Sequence, residues 1–160
     1  MTEINEKVIR YAETKHAGQK RKNGDDYITH PKRVAEMLKN SGYDIDTVIA
    51  GLFHNLLEDT DATENEILEL AGPSVLEAVR LVTKTKRKSS KDYIADILKN
   101  PIAKAVKNAD RIDNLTDARS STDDSFMQRY LQNTKEYYVG KFSKELDEAY
   151  ERLRETVEGR

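Results

Sequence analysis

The chain has 160 residues, no cysteine, 35% charged and 37% hydrophobic side chains, and a formal net charge of −2. Disulfides and thiolate metal sites are thereby excluded, and the slightly acidic total supplies no field that would draw the chain to nucleic acid or a membrane surface. No apolar run approaches the roughly 18 residues needed to span a bilayer, and "MTEINEKVIR" lacks the apolar core of a signal peptide, so the expectation is a soluble cytoplasmic protein with one domain, residues 1–160.

In chain order, helical periodicity dominates. Ile4, Val8, Tyr11, Ala12 and Lys15 fall on one helix face, with Thr2 and Glu3 as its start. "GQKRKNGDDYITHP" breaks the pattern and turns at Asn23-Gly24. Pro31 opens a second helix that carries Val34, Ala35 and Leu38 and stops at Gly42. "DIDTVIAGLFHNLLEDT" reads as one continuous helix, the most apolar and therefore central. A short helix follows, opened by a capping box of Thr63 and Glu66 and closed by Gly72. Further helices begin at Pro73, after the polar linker "KRKSSK", and at Pro101. After a break at "STDDS", a long helical stretch runs to the C-terminus, interrupted at Gly140. No strand-length alternation, repeat or low-complexity segment appears. The expected fold is an all-α bundle of about eight helices.

"GLFHNLLEDT" sets four polar residues, His54, Asn55, Glu58 and Asp59, among Leu52, Phe53, Leu56 and Leu57. Unpaired buried charge is costly, so such residues call for a role. On a continuous helix His54 shares a face with Glu58, and Asn55 with Asp59. A polar fringe at a helix end accounts for Glu58 and Asp59 better than for His54. "KNADRIDN" places Asp110 and Asn114 four apart on one face, with Lys107 and Arg111 on the neighbouring one; alone it reads as a solvated helix with ion pairs. His30 precedes Pro31, which pushes it toward extended backbone at a loop–helix junction. Taken together, two imidazoles and a carboxylate (His30, His54, Asp110) suit a divalent metal. Glu58 and Asp59 would then orient an attacking water for metal-assisted hydrolysis. His16 reads as structural or surface. Lys20, Arg21 and Lys22 lie beside His30 in sequence and suit phosphate oxygens. A second basic run, Lys84, Lys86, Arg87, Lys88 and Lys91, is either solvated or, beside the site, a holder of further phosphates.

The segments "AGQKRKNGDDYITHPKRVAEML", "GLFHNLLEDTDAT", "AGPSVLEAVRLVTK" and "VKNADRIDNL" occur in this order. They resemble the hydrolase domain of RelA/SpoT-type proteins and the stand-alone small alarmone hydrolases, within the HD superfamily of metal-dependent phosphohydrolases. The resemblance covers roughly residues 5–118. It implies an HD-type all-α domain, a divalent metal that is usually manganese, and removal of the 3′-pyrophosphate from guanosine tetraphosphate, (p)ppGpp. By position it implies His30, His54, Asn55 and Asp110 as metal ligands and Glu58 and Asp59 as the pair that positions the water. Arg21, Lys22 and Asn114 match residues lining the nucleotide pocket, as does Tyr130. Lys86 is added here as a phosphate holder from the basic run. Asn55 departs from the family, which has aspartate there. A neutral carbonyl oxygen replaces an anionic one, so weaker metal binding and slower chemistry are expected. The leading reading is a phosphohydrolase for a 3′-pyrophosphorylated guanine nucleotide. The alternatives are a nucleotide-binding protein without turnover, or an HD hydrolase of another phosphoester.

Overall fold

A computed structural model describes residues 5–160. Among these it has the helices α1 (Glu6–Lys15), α2 (Thr29–Asn40), α3 (Ile45–Phe53), α4 (Leu56–Asp59), α5 (Glu64–Ala71), α6 (Pro73–Val82), α7 (Ser90–Leu98), α8 (Pro101–Ala118), α9 (Asp124–Tyr137) and α10 (Lys144–Glu158). The all-α class is as expected. Two of the expected helices are each broken into two. The apolar one gives α3 and α4, with a turn at His54 and Asn55. The C-terminal one gives α9 and α10 on either side of Gly140, whose φ of +78° is a conformation other residues rarely adopt. The expected start at Thr2, Glu3 and Ile4 lies outside the described residues. The described helix is capped by Asn5, whose side chain accepts from the Lys7 amide at 2.9 Å.

One boundary differs with consequence. α2 starts at Thr29, so His30 is helical and not at an extended junction. Proline is tolerated at the third helical position because the first amides of a helix have no partner within it. The stop at Gly42 is as expected. Tyr43 N–H donates to Leu38 O and Gly42 N–H to Lys39 O, both at 3.1 Å, closing α2 with paired bonds around a glycine at φ +85°. The Thr63–Glu66 capping box is present at the head of α5.

The chain groups into two compact units, one up to Lys107 and one from Asn108 on, with the boundary inside α8. In the first unit α3 is the centre: every residue from Thr47 to Phe53 is buried. It packs on α2, α6 and α1. Gly51 permits the close approach of α2, since a Cβ there would stand 2.6 Å from Leu38 Cδ1 and 3.3 Å from Val34 Cγ1. In the second unit α9 and α10 pack together, burying Met127, Leu131, Leu146, Ala149 and Leu153. Arg111 is also buried there. Its guanidinium carbon lies 3.9 Å from the centre of the Tyr138 ring and 4.4 Å from that of Tyr130, and its terminal nitrogens donate to Thr134 and Asn133. No helix among the described residues is long and apolar enough to cross a membrane.

Candidate metal centre

The break after Phe53 explains how His54 is held. The carbonyls of the last turn of a helix lack amide partners within it. One of them, Gly51 O, takes a hydrogen bond from His54 Nδ1 at 2.6 Å. A carbonyl only accepts, so Nδ1 carries the proton and Nε2 the lone pair. A ring nitrogen donating to a backbone carbonyl while the other is basic is the usual arrangement of a metal-binding histidine. The break also corrects the expected faces. His54 closes α3 and Glu58 lies in α4, so that pair does not share a continuous helix face, whereas Asn55 caps α4 and its carbonyl accepts the Asp59 amide at 3.0 Å. His54 is buried, whereas Glu58 and Asp59 are exposed.

His30, brought into the first turn of α2, is 1% exposed, and its ring meets the His54 ring edge-to-face with centroids 5.1 Å apart. Asp110, on α8, is 5% exposed. Asn114 donates to its Oδ1 at 3.2 Å, so the Asn114 amide orients this carboxylate. One ligand atom from each of His30, His54 and Asp110 lies within 4.8 Å of the others, a group able to hold a metal ion. The donor set fits a divalent cation: two imidazoles and a carboxylate are nitrogen and oxygen ligands of intermediate hardness.

Asn55 caps α4 with its backbone, and its side-chain nitrogen donates to the Tyr27 hydroxyl. Arg21 lies on a turn closed by Arg21 N–H to Asp25 O at 2.8 Å and Gly24 N–H to Arg21 O at 2.9 Å. Its guanidinium stands 5.9 Å from the centre of the Tyr27 ring, and that ring lies 6.1 Å from the His30 ring. Lys22 is exposed on the same turn. Glu58 Oε1 accepts the Lys84 amide at 3.0 Å, which ties the basic run to α4. Lys86, two residues on, is exposed. Tyr130, on α9, stacks on Phe126 with centroids 5.5 Å apart.

Two participants were not singled out from the sequence. Tyr27 touches the rings of His16 and His30 and the Asn55 amide. Gln19 donates to the Asp59 carbonyl at 2.7 Å. His16 itself is 2% exposed, so it is no surface residue. The only sequence signal for it was its spacing: His16 and Gln19 are three apart, where α1 ends.

The family description "HD domain" matches residues 9–139. The chain belongs to the HD domain family. This HD domain is 40% identical over 118 residues to a guanosine-3′,5′-bis(diphosphate) 3′-pyrophosphohydrolase of Aquifex aeolicus, covering 69% of the chain and 17% of that protein. It is 34% identical over 125 residues to a probable GTP pyrophosphokinase of Mycobacterium leprae, covering 72% of the chain and 16% of that protein. The chain thus spans about one sixth of the length of these curated relatives. Among solved structures, this HD domain is similar to a metazoan ortholog of SpoT described as hydrolysing ppGpp. The TM-score is 0.72 at 26% identity, covering 95% of this chain and 98% of that one. A Listeria monocytogenes protein is similar at a TM-score of 0.58 and 26% identity, covering 82% and 99%.

Proposed function

We propose that this HD domain is a metal-dependent phosphohydrolase that removes the 3′-pyrophosphate from guanosine 3′,5′-bis(diphosphate) or a close analogue, in the cytoplasm. The observation that carries the reading is the mutual approach of ligand atoms of His30, His54 and Asp110, in a chain 40% identical to a 3′-pyrophosphohydrolase. In this reading His30, His54, Asn55 Oδ1 and Asp110 hold a divalent cation, for which manganese is the proposed choice. Bound there, such a cation would lower the pKa of water and polarise a phosphoryl oxygen.

The protein's own groups do the rest. The carboxylates of Glu58 and Asp59 orient the attacking water and accept its proton. Their positions are set by the Lys84 amide on Glu58 and by Gln19 on the Asp59 carbonyl. A bond forms between the water oxygen and the 3′ phosphorus, the P–O3′ bond breaks, and the 3′ oxygen leaves as the hydroxyl with that proton. Arg21, Lys22 and Lys86 neutralise phosphate oxygens. Asn114 keeps Asp110 in register, and Tyr130, whose ring is held by Phe126 and the Arg111 guanidinium, lines the nucleotide pocket.

A second reading, a nucleotide binder without turnover, is favoured by one feature: Asn55 brings a neutral oxygen where the resemblance to RelA/SpoT-type hydrolases implies an anionic one. Pyrophosphate release from ppGpp with manganese separates the two. Release by this chain is expected, and more by Asn55→Asp. Tight binding without release from either protein favours the binder, and neither binding nor release overturns both.

A further inference from the structure

His16 lies in "KHAGQ", at the end of α1, and takes no part in the reaction described above. Its ring is buried. Nδ1 lies 2.8 Å from Gln19 Oε1. The Gln19 nitrogen is committed to the Asp59 carbonyl, which fixes the amide with its oxygen toward the imidazole. An amide oxygen only accepts, so His16 Nδ1 carries the proton and Nε2 the lone pair. No protein group among the described residues reaches that Nε2. Buried polar atoms in native structures are nearly always hydrogen-bonded, to protein or to ordered water.

The surroundings are those of the metal centre. The His16 ring lies 5.0 Å from Tyr27, the Tyr27 ring 6.1 Å from His30, and the His30 ring 5.1 Å from His54. Burial, with His54 and His30 as further contributors, holds the His16 pKa below its ordinary value despite Gln19 and Asp59, which act the other way. The ring is therefore neutral near neutral pH. A side chain present only to fill space would have no need of the Gln19 clamp. That clamp also connects the ring to Asp59, on the turn that carries both proposed water-orienting carboxylates.

We propose that His16 is a positioning residue of this centre: its Nε2 accepts a hydrogen bond from a water molecule inside the site, and Gln19 holds the ring in the tautomer that allows it. The catalytic consequence rests on the phosphohydrolase reading; the hydrogen bond does not.

Nitrogen NMR of the metal-free chain with labelled histidine tests the bond directly. The expected result is a protonated Nδ1 and a bare Nε2 shifted as an acceptor of a hydrogen bond, with magnetisation transfer from water. A protonated Nε2, or a bare one without that shift, overturns the proposal. His16→Asn retains a donor near Nδ1 and lacks Nε2, whereas His16→Gln places an amide near Nε2. With ppGpp and manganese, His16→Asn is expected to lower kcat about ten- to a hundred-fold with KM unchanged, and His16→Gln to recover part of it. Unaltered kcat in a folded His16→Asn protein overturns the catalytic role. If that variant does not fold, the NMR result on the unaltered chain decides. A complete lack of turnover in the unaltered chain and in Asn55→Asp overturns the phosphohydrolase reading instead, and the NMR result still stands for or against the hydrogen bond.

Discussion

The two units each bury polar side chains, and they do so to different ends. In the second, Arg111 is enclosed by the rings of Tyr130 and Tyr138, and its terminal nitrogens donate to Thr134 and Asn133. Its interactions bind one helix to the next. In the first, three imidazoles lie buried in succession, and two of them, His16 and His54, are fixed through Nδ1 so that Nε2 holds the lone pair. Burial of a polar group therefore does not announce chemistry. What distinguishes the first unit is that its hydrogen bonds fix which nitrogen of an imidazole is the basic one.

Substitutions can break or sharpen that contrast. The largest effect is expected from His54→Asn, which keeps a donor for the Gly51 carbonyl and removes Nε2. By elemental analysis the variant is expected to hold less manganese than the unaltered chain, and turnover should fall about a thousandfold or more. Retained metal would place the centre elsewhere. Arg111→Ala should do the reverse. It opens a cavity between two tyrosines and removes two cation–π contacts, lowering stability by about 2–4 kcal/mol in urea titrations with the metal content unchanged.

Gly51→Ala should combine both outcomes. The added methyl would press on Leu38 and Val34 of α2, at a cost of about 1–3 kcal/mol. It should also weaken metal binding, because α2 carries His30 and His54 is the C-cap of α3. Asn55→Asp restores an anionic oxygen and should tighten manganese binding about tenfold in calorimetry, roughly 1.4 kcal/mol.

The smallest effect is the pH dependence of stability in the metal-free protein. His16 is buried as the neutral form, so its pKa is lower folded than unfolded. Between the folded value and its ordinary value of about 6.5 the unfolded chain binds more protons, and stability rises with pH. Its contribution is complete above about pH 6.5 and is lost as pH falls toward the folded pKa. His54 and His30 oppose the proton, while Asp59 and Gln19 favour it. Thermal melts across this range should be flatter for His16→Asn.

Much of this was legible before the structure. The Gly42 stop, the Thr63–Glu66 box, Gly72 with Pro73, and the interruption at Gly140 are local signals, because caps and positive-φ glycines act within a turn or two of chain. His54 stood out because its apolar neighbours made a bland role awkward, and His30 and Asp110, each bland alone, joined it only when the three were taken together. The break at His54 was not legible. "GLFHNLLED" has an unbroken helical pattern, and nothing in it marks the turn at which His54 Nδ1 meets the Gly51 carbonyl. Nor was the place of His30: a proline at the third position of a helix reads in sequence much like one at the first.

By itself the sequence determined the helices, most of their ends and the residue types that suit a divalent cation, because these depend on periodicity, capping and donor chemistry within short reach. Only the tertiary structure decided which nitrogen of each clamped imidazole bears its proton and that His16 belongs beside His30 and His54. Those outcomes depend on hydrogen bonds such as Gln19 to Asp59, forty residues apart, whose geometry exists only once the helices are packed.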